Sequence, residues 1–205
     1  MMKAIGLLLL VTVSLAQAGP SQVMVNEHQA LRLEQLDFGH LAVRIVDPTS
    51  DRILFHKSLL GTIRDFEVVD VDNDGERDVV LFASCGSSPS LSIIRCGPAL
   101  IPREIFARVL GHGDYRLRAY ELWTFYGEAG SYHAEFRRWR GGKVVAKRKF
   151  RRVDVEALEA GDLVAHSSPE GFPSLRLISS VNPKGQLTGI HDGPVWLLES
   201  SQDDV

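Results

Sequence analysis

Residues 70–78 read D-V-D-N-D-G-E-R-D, the stretch whose residue types and spacing most directly imply chemistry. Asp70, Asp72, Asp74 and Asp78 stand at positions 1, 3, 5 and 9, and Gly75 marks the point where the backbone can turn sharply. A hard cation such as calcium takes about six to eight oxygen ligands. Those carboxylates, with the backbone carbonyl of Glu76 at position 7, supply such a set. Carboxylates this close repel one another unless something neutralises them, and Arg77 is the only cation within the segment. The spacing therefore points to a calcium loop rather than to a solvated acidic turn. An EF-hand would place a bidentate glutamate at position 12. Position 12 is Leu81, and the flanks FEVVDV and DVVLF are β-rich rather than helical. The expectation is a strand–loop–strand site with a structural ion, held by Asp70, Asp72, Asp74, Glu76 and Asp78.

A second concentration of charge lies between residues 137 and 152, where no acid occurs. It contains Arg137, Arg138, Arg140, Lys143, Lys147, Lys149 and Arg151. If residues 143–153 form one strand, Lys143, Lys147, Lys149 and Arg151 share a face. That face can meet phosphate, a polyanionic glycan or an acidic partner. The reading preferred here is a solvated hairpin edge whose long cations discourage edge-to-edge pairing. Nucleic acid is disfavoured by the near-balanced charge, with 23 Lys+Arg against 26 Asp+Glu. No H-E-x-x-H, G-x-S-x-G or P-loop pattern occurs among the histidines, serines and glycines. The chain is read as non-enzymatic, the remaining enzymatic reading being a hydrolase assembled from distant loops.

The elements that must position these residues belong to a chain of 205 residues, 44% hydrophobic and 24% charged, which suits one globular domain. Lys3, the apolar run GLLLLVTVSL at residues 6–15 and Ala16-Gln17-Ala18 read as a signal peptide cleaved after Ala18. The run is too short to span hydrocarbon, which needs about 20 apolar residues. Residues 19–198 are then expected to form one secreted or periplasmic domain, and 199–205 a frayed acidic tail. Export makes a disulfide the favoured reading of Cys85 and Cys96, which flank the turn formers Gly86, Ser87, Ser88 and Pro89.

Short apolar alternations separated by turn clusters recur along the chain. Strands are expected over 40–46, 52–57, 66–71, 78–82, 115–125, 132–139, 143–153, 174–181 and 194–198. Turns fall at 47–51, 140–142 and 182–185. Residues 102–110 and 154–160 are the candidates for short helices. The pattern implies an all-β, antiparallel domain, either a small propeller-like fold or a β-sandwich.

The segment HLAVRIVDPTSDRILFHKSLLGTIRDFEVVDVDNDGERDVVLFA, within residues 40–84, resembles a single repeat of the VCBS/FG-GAP type. Those repeats are β-propeller blades carrying a D-x-D-x-D-G-x-x-D calcium loop. The resemblance implies structural calcium and a role as a binding or interaction module for an extracytoplasmic protein or glycan. The segment Tyr120-Glu121-Leu122-Trp123-Thr124-Phe125 after the loop, with Gly130-Ser131-Tyr132, is similar to features of compact periplasmic lysozyme inhibitors. That second likeness implies an inhibitor of lysozyme or another cell-wall hydrolase.

Overall fold

A computed structural model describes residues 21–37, 39–85, 88–111, 113–166, 172–178 and 194–203. The expected signal peptide and the turn at 182–185 lie outside the described residues. The chain forms β1 (Ser21–Asn26), β2 (Gln29–Asp37), β3 (His40–Val46), β4 (Ile53–Leu60), β5 (Thr62–Val69), β6 (Asp78–Cys85), β7 (Ser88–Arg95), β8 (Arg103–Val109), β9 (Asp114–Arg118), β10 (Glu121–Glu128), β11 (Ser131–Arg140), β12 (Lys143–Val153), β13 (Leu163–His166), β14 (Ser174–Leu177) and β15 (Val195–Asp203). The fold is all-β and antiparallel, as the alternation pattern leads one to expect. Among the described residues no helix is long and apolar enough to cross a membrane.

Among the described residues the strands form three sheets. The first is the meander β1-β2-β3-β4, the second the meander β5-β6-β7-β8, and the third has the order β14-β13-β15-β12-β11-β10-β9. The two meanders are blade-like and face one another through Leu31, Val43 and Ile45 on one side and Val79, Leu81 and Ile94 on the other. The middle sheet turns its second face, with Val80, Phe82, Leu91 and Phe106, towards Leu122, Tyr126 and Trp139 of the third. β6 is therefore covered on both faces, and Val79, Val80, Leu81, Phe82 and Ala83 are all buried. Double coverage explains why this strand reads as an unbroken apolar run instead of an alternation. The other face of the third sheet gathers Trp123, Phe136, Phe150 and Trp196 into a separate core. Gln29 ties the first sheet to the segment after β7: its Nε2 donates to the Gly97 carbonyl at 2.8 Å, and the Gly97 N–H donates to its Oε1 at 3.0 Å.

Several expectations are corrected. Residues 102–110 are not a helix but contain β8, because Phe106 pairs opposite Ile93 and packs edge-on against Trp139. Residues 154–160 hold only one 3-10 turn, Val155–Ala157. Residues 115–125 are not one strand. Arg118 pairs with Glu121 across a turn at Ala119–Tyr120, where Ala119 takes φ 48° without any glycine or asparagine to signal it. The expected acidic tail is ordered through Asp203. Ser200, Ser201, Gln202 and Asp203 pair with Lys149, Arg148, Lys147 and Ala146, so backbone pairing overrides their polarity.

The Cys85–Cys96 disulfide is also overturned. The hairpin β6–β7 exists, but Cys85 pairs with Ser88 at its tip while Ile94 pairs with Val79 near its base. Cys96 lies beyond that base, roughly 25 Å along the strands from Cys85 at about 3.3 Å per residue. A disulfide needs Cα atoms within about 7 Å, and Cys96 is a free, buried thiol.

Candidate metal centre

The hairpin β5–β6 closes at the pair Val69 and Asp78, which makes residues 70–77 its loop. Val71 anchors the loop, being fully buried in the core between the second and third sheets. Asn73 and Gly75 adopt φ of 57° and 90°, and Gly75 is needed for that backbone conformation rather than for space. The acidic side chains fold the loop onto themselves. Asp70 accepts the N–H of Asp74 on Oδ1 at 3.2 Å and that of Gly75 on Oδ2 at 2.9 Å. Asp74 Oδ1 accepts the Glu76 N–H at 2.8 Å. Asp78 accepts from Cys96 N–H on Oδ1 at 3.0 Å and from Val71 N–H on Oδ2 at 3.2 Å.

Three of the predicted ligands converge: Asp70, Asp72 and Asp78 each offer an oxygen within 4.8 Å of the others. Asp72 is fully buried, and neither of its carboxylate oxygens receives a hydrogen bond. Asp74 is drawn elsewhere, its Oδ2 accepting from Arg95 Nη2 at 2.6 Å. Glu76 is half-buried, with its N–H committed to Asp74. Arg95, the last residue of β7, is the site residue that sequence reasoning missed. Its Nε lies 3.1 Å from Asp72 Oδ2, too poorly aligned to count as a hydrogen bond. Nothing local signals it, because only the β6–β7 pairing brings residue 95 beside residues 72 and 74.

The electrostatics follow from this crowding. Burial raises the Asp72 carboxyl, with Asp74 and Asp70 adding to the effect and Arg95 opposing it. Burial pushes Asp78 up to about 7, against the two backbone N–H groups that favour its anion. Burial works against ionisation of Asp74 too, but the Arg95 hydrogen bond and the Glu76 N–H outweigh it and hold this carboxyl low. The Asp74 hydrogen bond in turn raises Arg95. The donor set is entirely hard oxygen, and it includes a buried carboxylate with no hydrogen bond. The Asp70–Asp72–Asp78 cluster can therefore hold a metal ion.

The neighbouring sheet covers the site. The β11–β12 turn, with Gly141 and Gly142 at φ 55° and 75°, is the hairpin expected from Arg140-Gly141-Gly142. Gly141 N–H donates to the Asp72 carbonyl at 3.2 Å. A Cβ on Gly142 would lie 2.1 Å from Arg95 Nη1, so this glycine makes room for the guanidinium.

The basic hairpin is not a sheet edge, since β12 runs between β11 and β15. Nor do its four lysine and arginine positions share a face. A bulge pairs Arg138 with Ala146 but Trp139 with Val144, which puts Lys143 opposite to Lys147, Lys149 and Arg151. Acids from flanking strands meet much of the charge. Arg137 Nε lies 2.5 Å from buried Glu135, which Arg108 also contacts at 2.9 Å. Arg138 pairs with Glu121, Lys149 with Glu128 at 3.2 Å, and Arg151 with Glu199 at 3.6 Å. Arg140 and Lys143 are exposed and Lys147 is half-buried.

Tyr132, beside the β10–β11 turn at Ala129–Gly130, is 53% exposed. It lines a surface cavity of about 350 Å³ together with Gly111, Glu128 and Ser131. Within the aromatic segment 120–125, Leu122 and Trp123 are buried in two different cores, while Tyr120 is exposed. Comparison with family profiles, curated proteins and solved structures finds no match to this chain.

Proposed function

We propose that this chain is an exported, calcium-binding β module of the VCBS/FG-GAP type. The ion holds the loop at residues 70–78, and the surface binds an extracytoplasmic protein or glycan. The carrying observation is Asp72, a fully buried carboxylate without a hydrogen bond, converging with Asp70 and Asp78. A buried carboxylate without hydrogen bonds is costly, and a hard divalent cation offsets that cost. Calcium fits better than zinc, which favours nitrogen and sulfur ligands. Asp74 and the Glu76 carbonyl complete the set once the ion draws the loop together. The site has no catalytic role in this reading, and a turnover screen on glycans and esters checks that part.

Melting in chelator and in millimolar calcium tests the ion. A ligand at 100 times its dissociation constant adds about 2.7 kcal/mol if it binds only the folded state. Calcium should raise the midpoint by several degrees, and the double substitution Asp72→Ala, Asp74→Ala should remove the difference. Coincident wild-type curves would sink the calcium reading. A second reading, inhibition of lysozyme or another cell-wall hydrolase, draws support from exposed Tyr132 beside its cavity. Purified protein that slows lysozyme, and a Tyr132→Ala variant that does not, would place the chain there instead.

A further inference from the structure

We infer that Arg95 is the built-in counter-ion of this loop: it offsets part of the charge of Asp72 and Asp74 when no cation is bound, and a divalent cation competes with it for the same carboxylates. The inference rests on reading the loop as a divalent-cation site, and it concerns what sets the affinity of that site.

Arg95 reaches both carboxylates at once, Asp72 Oδ2 from Nε at 3.1 Å and Asp74 Oδ2 from Nη2 at 2.6 Å. Its side chain is only 15% exposed, so bulk water screens the contact weakly. The pairing is uneven. Asp74 receives a short, charge-assisted hydrogen bond, whereas the buried Asp72 receives charge without a hydrogen bond of good geometry. The single guanidinium thus offsets only part of the charge of the two carboxylates, and the Asp72 oxygens stay unsaturated. The same contact occupies Asp74 Oδ2, and Asp74 is not among the three carboxylates that converge. An ion that takes Asp74 Oδ2 competes with the Arg95 hydrogen bond for that oxygen. Arg77, the cation inside the loop, is exposed and makes no contact with these acids among the described residues. Counter-ion duty therefore falls to a residue from β7 and not to the loop's own arginine. Gly142 supports the arrangement from the third sheet, because any side chain there would strike the guanidinium.

Calorimetric titration with calcium chloride tests this on the full-length protein, comparing wild type, Arg95→Gln and Arg77→Gln. Both substitutions remove one positive charge near the loop, but only the first removes the competing contact. Arg95→Gln should bind calcium about tenfold more tightly than wild type, since a cation a few ångströms from the ion is gone. Arg77→Gln should stay within about threefold. In chelator Arg95→Gln should melt below wild type, because Asp72 and Asp74 lose the one counter-charge that contacts them among the described residues, and millimolar calcium should close that gap. If Arg95→Gln does not fold in chelator, Arg95→Lys keeps the charge while losing the two-point reach, and it should bind more tightly than wild type. Affinity of Arg95→Gln equal to or weaker than that of Arg77→Gln would overturn the inference while leaving the calcium site standing. Absence of calcium binding in wild type and in every variant would instead overturn the site itself, and this inference with it.

Discussion

Asp78 joins the loop to the core, and its burial has a consequence in solution. Its folded carboxyl is pushed up to about 7, against about 3.9 in an unfolded chain. In chelator, the unfolded state therefore releases this proton at lower pH than the folded state does. Its contribution to stability is fully present below about pH 4 and is lost as pH rises through about 7, with a slope approaching 1.4 kcal/mol per pH unit. Urea midpoints measured in chelator from pH 4.5 to 7.5 should fall more steeply for wild type than for Asp78→Asn, and equal slopes would refute the assignment. Calcium reverses the sense, because the ion needs the anion and so binds better as pH rises. Cys96, whose backbone N–H serves Asp78, carries a thiol that burial pushes up to about 12. It should resist iodoacetamide in the folded protein and react after denaturation. A Cys96 peptide found disulfide-linked in an unreduced digest would contradict its free state.

At the scale of elements, β12 contrasts a decorated face with a packed one. Its ion pairs with Glu128 and Glu199 are largely solvent-exposed, and such pairs contribute little. Lys147→Gln, Lys149→Gln and Arg151→Gln together should barely move the urea midpoint. Phe150→Ala, from the same strand but fully buried against Trp123, should cost about 3–5 kcal/mol. A triple variant as damaged as Phe150→Ala would show that the charges hold the strand. The same strand shows which parts of the structure local sequence can report. The Arg140-Gly141-Gly142 turn and the aspartate loop were readable because their glycines and acids act within a few residues. The bulge at Val145, the placement of β12 inside a sheet and the arrival of Arg95 at the loop all depend on pairings with distant strands. Likewise β1 and β2 escaped notice, since they pair across sequence that carries weak turn signals. The turn at Ala119–Tyr120 offered none of the residues that favour positive φ.

For the whole molecule, β15 is an interior strand of the third sheet. It lies between β12 and β13, and Trp196 belongs to the core of the third sheet. Truncation after Leu198 removes the partners of residues 146–149 on β12 and exposes that part of the strand. The shortened chain should melt several degrees below the full one, since a few ordered backbone pairs are a sizeable share of a marginal stability. Unchanged melting would mean that residues 199–203 pair without contributing.

The strand order also bears on when the molecule can become complete. The first sheet uses only residues 21–60 and the second only residues 62–109, each with neighbours in space that are neighbours in sequence. Both can assemble as soon as they emerge from a ribosome or a translocation pore, because short-range pairing is fast. The third sheet cannot. Its gap between β12 and β13 is filled by β15, which begins at Val195, long after β12 ends at Val153, so β12 waits with an open edge until β15 has been made. That interval is the one in which a second nascent copy, offering the same strand, can pair in its place.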